Sequence, residues 1–279
     1  MTSAGPLMAG KRGLVMGVAN DRSIAYGIAK ACAGAGAELC VTYQVEALEK
    51  RVRPLAEELG ATLVLEADVM KPGSMDALFE RLAREWGRLD FVVHAIAFSD
   101  REELKGLYVD TSRDNFLRTM DVSCYSFTDL SRRATALMQD GGSLLTLSYF
   151  GAERVMPHYN VMGVAKAALE ASVRYLAADL GKRAIRVNAI SAGPIKTLAA
   201  SGIGDFRYIL KWNELNAPLR RNVTIDEVGN AALYLLSDLG RAVTGEIHHV
   251  DCGYNVIGML QVDAAPQVAE MLGTFKPRP

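Results

Sequence analysis

Short runs that are apolar throughout alternate along this chain with longer stretches in which apolar residues return every three or four positions. The short runs cover 13–17, 38–43, 62–66, 90–95, 143–148, 186–190 and 246–250, and we read them as strands. The longer stretches cover 24–35, 47–59, 75–86, 115–138, 159–180 and 225–236, with the period of helices laid against a core. A strand without polar alternation is buried on both faces. Seven such strands separated by helices predict a parallel seven-stranded sheet covered on each side. Right-handed crossovers then give a doubly wound α/β sheet, a Rossmann fold.

Two segments break the alternation. Residues 192–219, after the sixth strand, form an excursion of a length common for a lid over a substrate. Residues 261–279 carry prolines and receive no element. No repeat, low-complexity run or linker divides the chain. We expect one dinucleotide-binding and catalytic domain over 1–260, including the lid at 192–219, and a C-terminal tail at 261–279.

Composition narrows the setting. Half of the 279 residues are hydrophobic, enough for a substantial core at this size. A net charge of -1 creates no global field for nucleic acid or a membrane surface, and neither partner is expected. Cys32, Cys40, Cys124 and Cys252 show no C-x-x-C and no metal-ligand spacing, so they read as buried thiols of a reducing compartment and no metal is expected. The N-terminus lacks the apolar stretch of a signal peptide, and no run is long enough to cross a membrane. A cytoplasmic protein is expected.

The first strand runs into GVANDRSIAYG, from Gly17 to Gly27. Glycine at a strand-to-helix turn lets backbone amides approach a pyrophosphate, whose charge the helix N-terminus favours. The hydroxyl of Ser23 either bonds phosphate or caps the helix that Ile24 begins. The second strand ends at Gln44, with Glu46 and Glu49 following and no arginine before Arg51. A 2′-phosphate would find little positive charge there, which favours NADH; the alternative is that Gln44 is only a turn residue. Asp68 and Val69 end the third strand, where an Asp can accept from an adenine amino group or simply close a turn. His94 reads as a core histidine. The small residues after it leave room for backbone beside a cofactor.

The most specific stretch is SYFGAERVMPHYNVMGVAK, from Ser148 to Lys166, which holds Tyr149, Tyr159 and Lys166. A phenol can donate to an oxygen that gains charge during reduction, and a neighbouring ammonium favours its ionisation. With GVANDRSIAYGIA, TYQ, ADV, RVNAISAGPIKTLAASGI and GEIHHVDCG, this stretch makes residues 11–260 resemble the bacterial enoyl-acyl carrier protein reductases, a divergent branch of the short-chain dehydrogenases. Ordinary members of the wider family carry Tyr-x3-Lys after a catalytic serine. Here the spacing is Tyr-x6-Lys, and the fifth strand leads to Tyr149.

The resemblance implies NADH-dependent reduction of a trans-2-enoyl thioester on acyl carrier protein, in type II fatty acid synthesis, by a homotetramer. It makes Tyr159 the donor to the thioester oxygen, with Tyr149 as a second catalytic tyrosine orienting the substrate. Lys166 would hold the nicotinamide ribose and add positive charge. Gly17, Ser23, Ile24, Gln44, Asp68, Val69, Ile96 and Lys166 map to cofactor contacts. So do Ile195, Lys196, Thr197, Leu198 and Ala199. Ser99 maps to the substrate position, while Met162 and Phe206 line the acyl pocket. Ala97 stands where the family often has glycine, which crowds any ligand stacked on the nicotinamide. A carbonyl reductase on the same fold and a dinucleotide-binding sensor without turnover are the competing readings. The tyrosine–lysine spacing weighs against the first and the intact pair against the second.

Overall fold

The computed structural model describes residues 6–198, 200 and 206–274. Among these, β1 (Arg12–Met16), β2 (Glu38–Tyr43), β3 (Leu63–Glu66), β4 (Phe91–His94), β5 (Gly142–Ser148), β6 (Ile185–Ala192) and β7 (Ile247–Val250) form one sheet. Their order is β3-β2-β1-β4-β5-β6-β7 and every neighbouring pair is parallel. The order reverses between β1 and β4, so the crevice beyond their carboxyl ends is where such a sheet binds ligands.

The period of two along each strand explains why both faces are apolar. Val15, Val41 and Val93 enter one core, shared with Ile28 and Ala29 of α1 (Ile24–Gly34) and with Val228 and Leu235 of α8 (Ile225–Leu236). Their neighbours Leu14, Cys40 and Val92 enter the other. There they meet Leu82 of α3 (Ser74–Glu85), Phe127 of α5 (Ser126–Ala134) and Leu169 of α6 (Asn160–Leu180). Beside β2 and β3 runs α2 (Glu46–Glu58). Thr224 and Glu227 close a reciprocal capping box at the start of α8, and Arg221 grips the same carboxylate at 2.6 and 2.8 Å.

The helix expected over 115–138 is two helices. Here α4 (Arg113–Met120) joins α5 through a π-helical turn, Asp121–Tyr125, and α5 stops at Ala134. The wide turn sends Ser123 to the backbone of Phe98, whose N–H donates to its hydroxyl at 3.0 Å and whose carbonyl accepts from it at 3.1 Å. Apolar spacing alone reveals neither this wider helical register nor the side-chain-to-backbone bonds beside it.

Two further helices lie where none was expected. The excursion contains α7 (Phe206–Asn216), and the tail contains α9 (Ala265–Thr274). Polar Arg207, Lys211, Asn213 and Glu214 dilute the first pattern, and Pro266 sits in the first turn of the second, where proline is tolerated. Gln261 N–H donates to Asn216 Oδ1 at 3.1 Å and Arg220 pairs with Asp263 at 2.5 Å, tying the tail to the end of α7.

Candidate active site

Above the C-terminal edge of β5, the chain turns from Ser148 through Tyr149 and a short 3-10 turn, Phe150–Ala152, towards α6. Tyr159 immediately precedes that helix, between His158 and Asn160, both at positive φ (56° and 39°). The fold holds this bend with Asn160, whose amide donates to Gly106 O at 2.9 Å. The bend folds Tyr159 back onto Tyr149, ring centroids 5.0 Å apart at 73°. Leu104, Val161 and Met162 are buried beside Tyr159, while Phe116 and Met156 close the same cluster.

Two glycines make this closure possible. A Cβ on Gly151 would lie 2.3 Å from Tyr159 Cδ1, and one on Gly163 would lie 2.8 Å from Gly151 O. Sequence reading passed over both. Their signal was present, since both sit inside the SYFGAERVMPHYNVMG stretch, Gly151 after Phe150 and Gly163 after Met162.

Lys166 is two turns into α6 and buried. Its Nζ donates to Leu147 O at 2.7 Å. Burial lowers its pKa to about 8, opposed by Cys124 and Glu170. The expected lowering of the phenol by this ammonium is not what the protein does. Burial, then Tyr149 and Glu170, raise the Tyr159 phenol above its ordinary value, and burial likewise raises Tyr149. The dry pocket opposes phenolate, and one N–H of Lys166 is directed at a main-chain carbonyl. Both phenols are therefore kept as O–H donors.

The residues expected to contact a cofactor lie at the strand ends and at the start of α1. Gly17 has φ +103°, and a Cβ there would stand 2.1 Å from Ala95 O, so only glycine lets β1 pass the loop after β4. That close passage and the adjacent start of α1 suit a dinucleotide pyrophosphate. Ser23 is the residue before α1, but its side chain makes no cap; its Oγ accepts from Ala19 and Asn20 N–H at 3.0 and 3.1 Å, shaping the loop itself. Ile24 opens the helix and leans on the core. Gln44 donates to Asp68 Oδ2 at 3.3 Å, while Asp68 Oδ1 accepts from Met70 N–H at 2.9 Å. Asp68 thus closes a turn and touches Gln44 at once. Val69 and Ile96 pack at the edge of the second core.

On the far side, Ile195 packs against the first core, Lys196 is exposed, and Thr197 Oγ1 accepts from Ala200 N–H at 3.1 Å. Leu198 is half exposed. Ala199 lies outside the described residues. Ser99 bonds Asn115, which also accepts from Asp100 N–H at 2.9 Å, so the hydroxyl belongs to the loop's support.

A cleft of about 180 Å³ opens beside the tyrosines, lined by Val155, Met156, Tyr208, Ile209, Trp212 and Tyr254 among others. Met162 is buried next to Tyr159, and Phe206 begins α7; neither lines this cleft. His94 is a core histidine as expected, buried between Thr146 Oγ1 at 2.9 Å and Ser126 Oγ at 2.8 Å. The four cysteines are free and buried. Among the described residues no helix is long and apolar enough to cross a membrane.

A family model described as enoyl-(acyl carrier protein) reductase matches residues 17–255. The chain belongs to this family. It is 70% identical over 264 residues to enoyl-(acyl-carrier-protein) reductase (NADH) 1 of Rhizobium meliloti (strain 1021), covering 95% of this chain and 97% of that one. An enoyl-(acyl-carrier-protein) reductase from Anaplasma phagocytophilum, solved in complex with NAD, superposes with a TM-score of 0.90 at 65% identity, covering 93% of this chain and 99% of that one. The Bacillus cereus enoyl-acyl carrier protein reductase, solved with NADP+ and an indole naphthyridinone, gives 0.89 at 55% identity, covering 91% and 99%.

Proposed function

We propose that the space between the Tyr149–Tyr159 pair and the β1–β4 crevice is where a trans-2-enoyl thioester, delivered by acyl carrier protein, is reduced with NADH. The chain is an NADH-dependent enoyl-(acyl-carrier-protein) reductase of fatty acid synthesis. Bound NADH supplies the reducing hydride to the substrate's β carbon. The protein supplies the rest. Tyr159 donates to the thioester oxygen as negative charge grows on it, in a pocket dry enough to strengthen that bond. Tyr149 forms the wall against which the thioester is oriented. Lys166 has three N–H donors, so it keeps Leu147 O and offers another to the cofactor ribose.

The observation that carries this reading is the edge-to-face tyrosine pair at 5.0 Å, set by a bend at the start of the helix that also carries Lys166. Gly17, Ser23, Ile24, Gln44, Asp68, Val69, Ile96 and Ile195 to Ala199 are assigned to the cofactor. Ser99, Met162 and Phe206 are assigned to the substrate side, joined by the cleft residues Met156 and Tyr208. Residues 1–260 make up the catalytic domain, with 192–219 as its lid and 261–279 as its tail. Following NADH absorbance with crotonyl and longer enoyl thioesters tests the activity, with acetoacetyl thioester as the control that a carbonyl reductase would consume.

A cytoplasmic homotetramer completes the proposal. The apolar stripe of α6 with Ala165, Leu169 and Val173 is buried within the chain itself. The support comes from apolar side chains left exposed on α4 to α6: Leu117, Tyr125, Val164 and Tyr175. A monomeric mass by light scattering at micromolar concentration refutes it.

A further inference from the structure

Two side chains of α6, one turn apart, reach the same strand end. Lys166 donates to the carbonyl of Leu147, and the Glu170 carboxylate accepts from the hydroxyl of Ser148. Both α6 residues are 6% exposed. On a helix, positions four apart lie on one face with Cβ atoms about 5–6 Å apart, so the carboxylate stands one turn below the ammonium. Tyr149 follows Ser148 directly. The two bonds therefore fasten the strand terminus from which the first tyrosine of the pair departs.

The surroundings make Glu170 more than a core residue. Ser148 pairs in register with Ser191 of β6, and Ser191 with His249 of β7. His249 Nε2 lies 2.7 Å from Glu153 Oε1 in the segment after Tyr149. The groups facing Glu170 are thus Ser148 from β5, Glu153 from the turn after it, His249 from β7, Tyr159 at the start of α6, and Lys166 and Arg174 from its own helix. Burial raises the Glu170 carboxyl above the usual range, the Ser148 hydrogen bond works against this, and Glu153 adds to it. A buried acid with one hydroxyl partner and a desolvated ammonium one turn away is an expensive arrangement unless the charges serve each other.

We propose that Glu170 is a positioning residue for the reduction: with Ser148 it anchors the β5 terminus that carries Tyr149, and its carboxylate holds Lys166 as an ammonium. The proposal rests on the reductase reading above. Its charge acts on Lys166, and through Lys166 on the cofactor ribose, and it also disfavours the Tyr159 phenolate; Glu170 itself touches no substrate.

The test uses the full-length protein and NADH oxidation with an enoyl thioester across pH 4.5 to 10, together with NADH binding over the same range. Glu170→Gln keeps the shape and an acceptor for Ser148 but loses the charge. The basic limb of kcat/KM and of NADH affinity moves down by about one pH unit. Glu170→Asp, which keeps the charge, restores the limb at least in part. A folded Glu170→Gln protein with an unmoved basic limb overturns the proposal, and so does an Asp variant displaced as far as Gln. Should Glu170→Gln fail to fold, Ser148→Ala removes the hydrogen bond that favours the ionised acid. The acid limb then moves to higher pH, and an unmoved acid limb overturns the proposal. A wild-type protein that never oxidises NADH with enoyl thioesters instead removes the reductase reading and this inference with it.

Discussion

Tyr149 meets Tyr159 edge to face, at 73° and 5.0 Å between ring centroids, although nine residues and a turn separate them along the chain. One phenol is thereby packed as the wall of the other. Tyr159→Phe removes the hydrogen-bond donor and keeps the ring, so kcat falls on the order of 10²–10³-fold. Tyr149→Phe retains the packing and costs less. Steady-state kinetics of both variants check the ranking; equal losses would mean that both hydroxyls meet the thioester oxygen.

Gly151→Ala tests the same geometry without touching a phenol. The added methyl occupies space 2.3 Å from Tyr159 Cδ1 and 2.7 Å from Cε1, so the ring must move. A donor displaced by an ångström costs turnover roughly 10–100-fold. NADH affinity, measured by fluorescence titration, stays near wild type because the added methyl meets the Tyr149 and Tyr159 rings and none of the residues assigned to the cofactor.

Cofactor choice is set beyond β2. Gln44 is bound to Asp68, and Arg53 is engaged by Glu49, leaving little free positive charge for a 2′-phosphate. A higher kcat/KM with NADH than with NADPH is expected. Gln44→Arg narrows the gap.

Acid should unfold this protein through two identifiable groups. Burial lowers the His94 pKa to about 3 from 6.5, with Lys166 adding to the effect. The unfolded chain takes up this proton below 6.5 while the folded chain refuses it. The stability is present above 6.5 and is lost as pH falls towards about 3, on the order of 4–5 kcal/mol in all. Glu227, held near 2 rather than 4.5 by Arg221 and the Thr224 backbone, adds stability above 4.5 that disappears below it. Thermal melts from pH 7 to 4 should show Tm falling throughout, and more shallowly for His94→Gln.

The segment holding α7 is tethered to the site, since Trp212 Nε1 donates to Tyr254 OH at 2.9 Å and Tyr254 meets Phe150 edge to face at 5.8 Å. Hydrogen exchange over 206–216 should slow when NAD and an enoyl-thioester analogue are added together. Equal protection with and without ligands identifies a fixed wall. Residues 199 and 201–205 of the expected lid lie outside the described residues.

The sequence by itself determined the sheet. Seven strands and five of the six predicted helices lie within one or two residues of their apolar runs, because strands buried on both faces and helices covering them must carry that pattern whatever they pack against. It also pointed to Gly17 by its strand-to-helix turn, and to Tyr149, Tyr159 and Lys166 through the family resemblance that their stretch carries. Tertiary structure alone decided the π turn at Ser123, the α7 and α9 helices, and what the site residues do. Ser23 shapes a loop instead of capping, and Tyr159 is raised rather than lowered, because hydroxyl partners and desolvation depend on neighbours distant in sequence. The same holds for Glu170. Its value lies in Ser148, 22 residues away on another element, which no periodicity along α6 could signal.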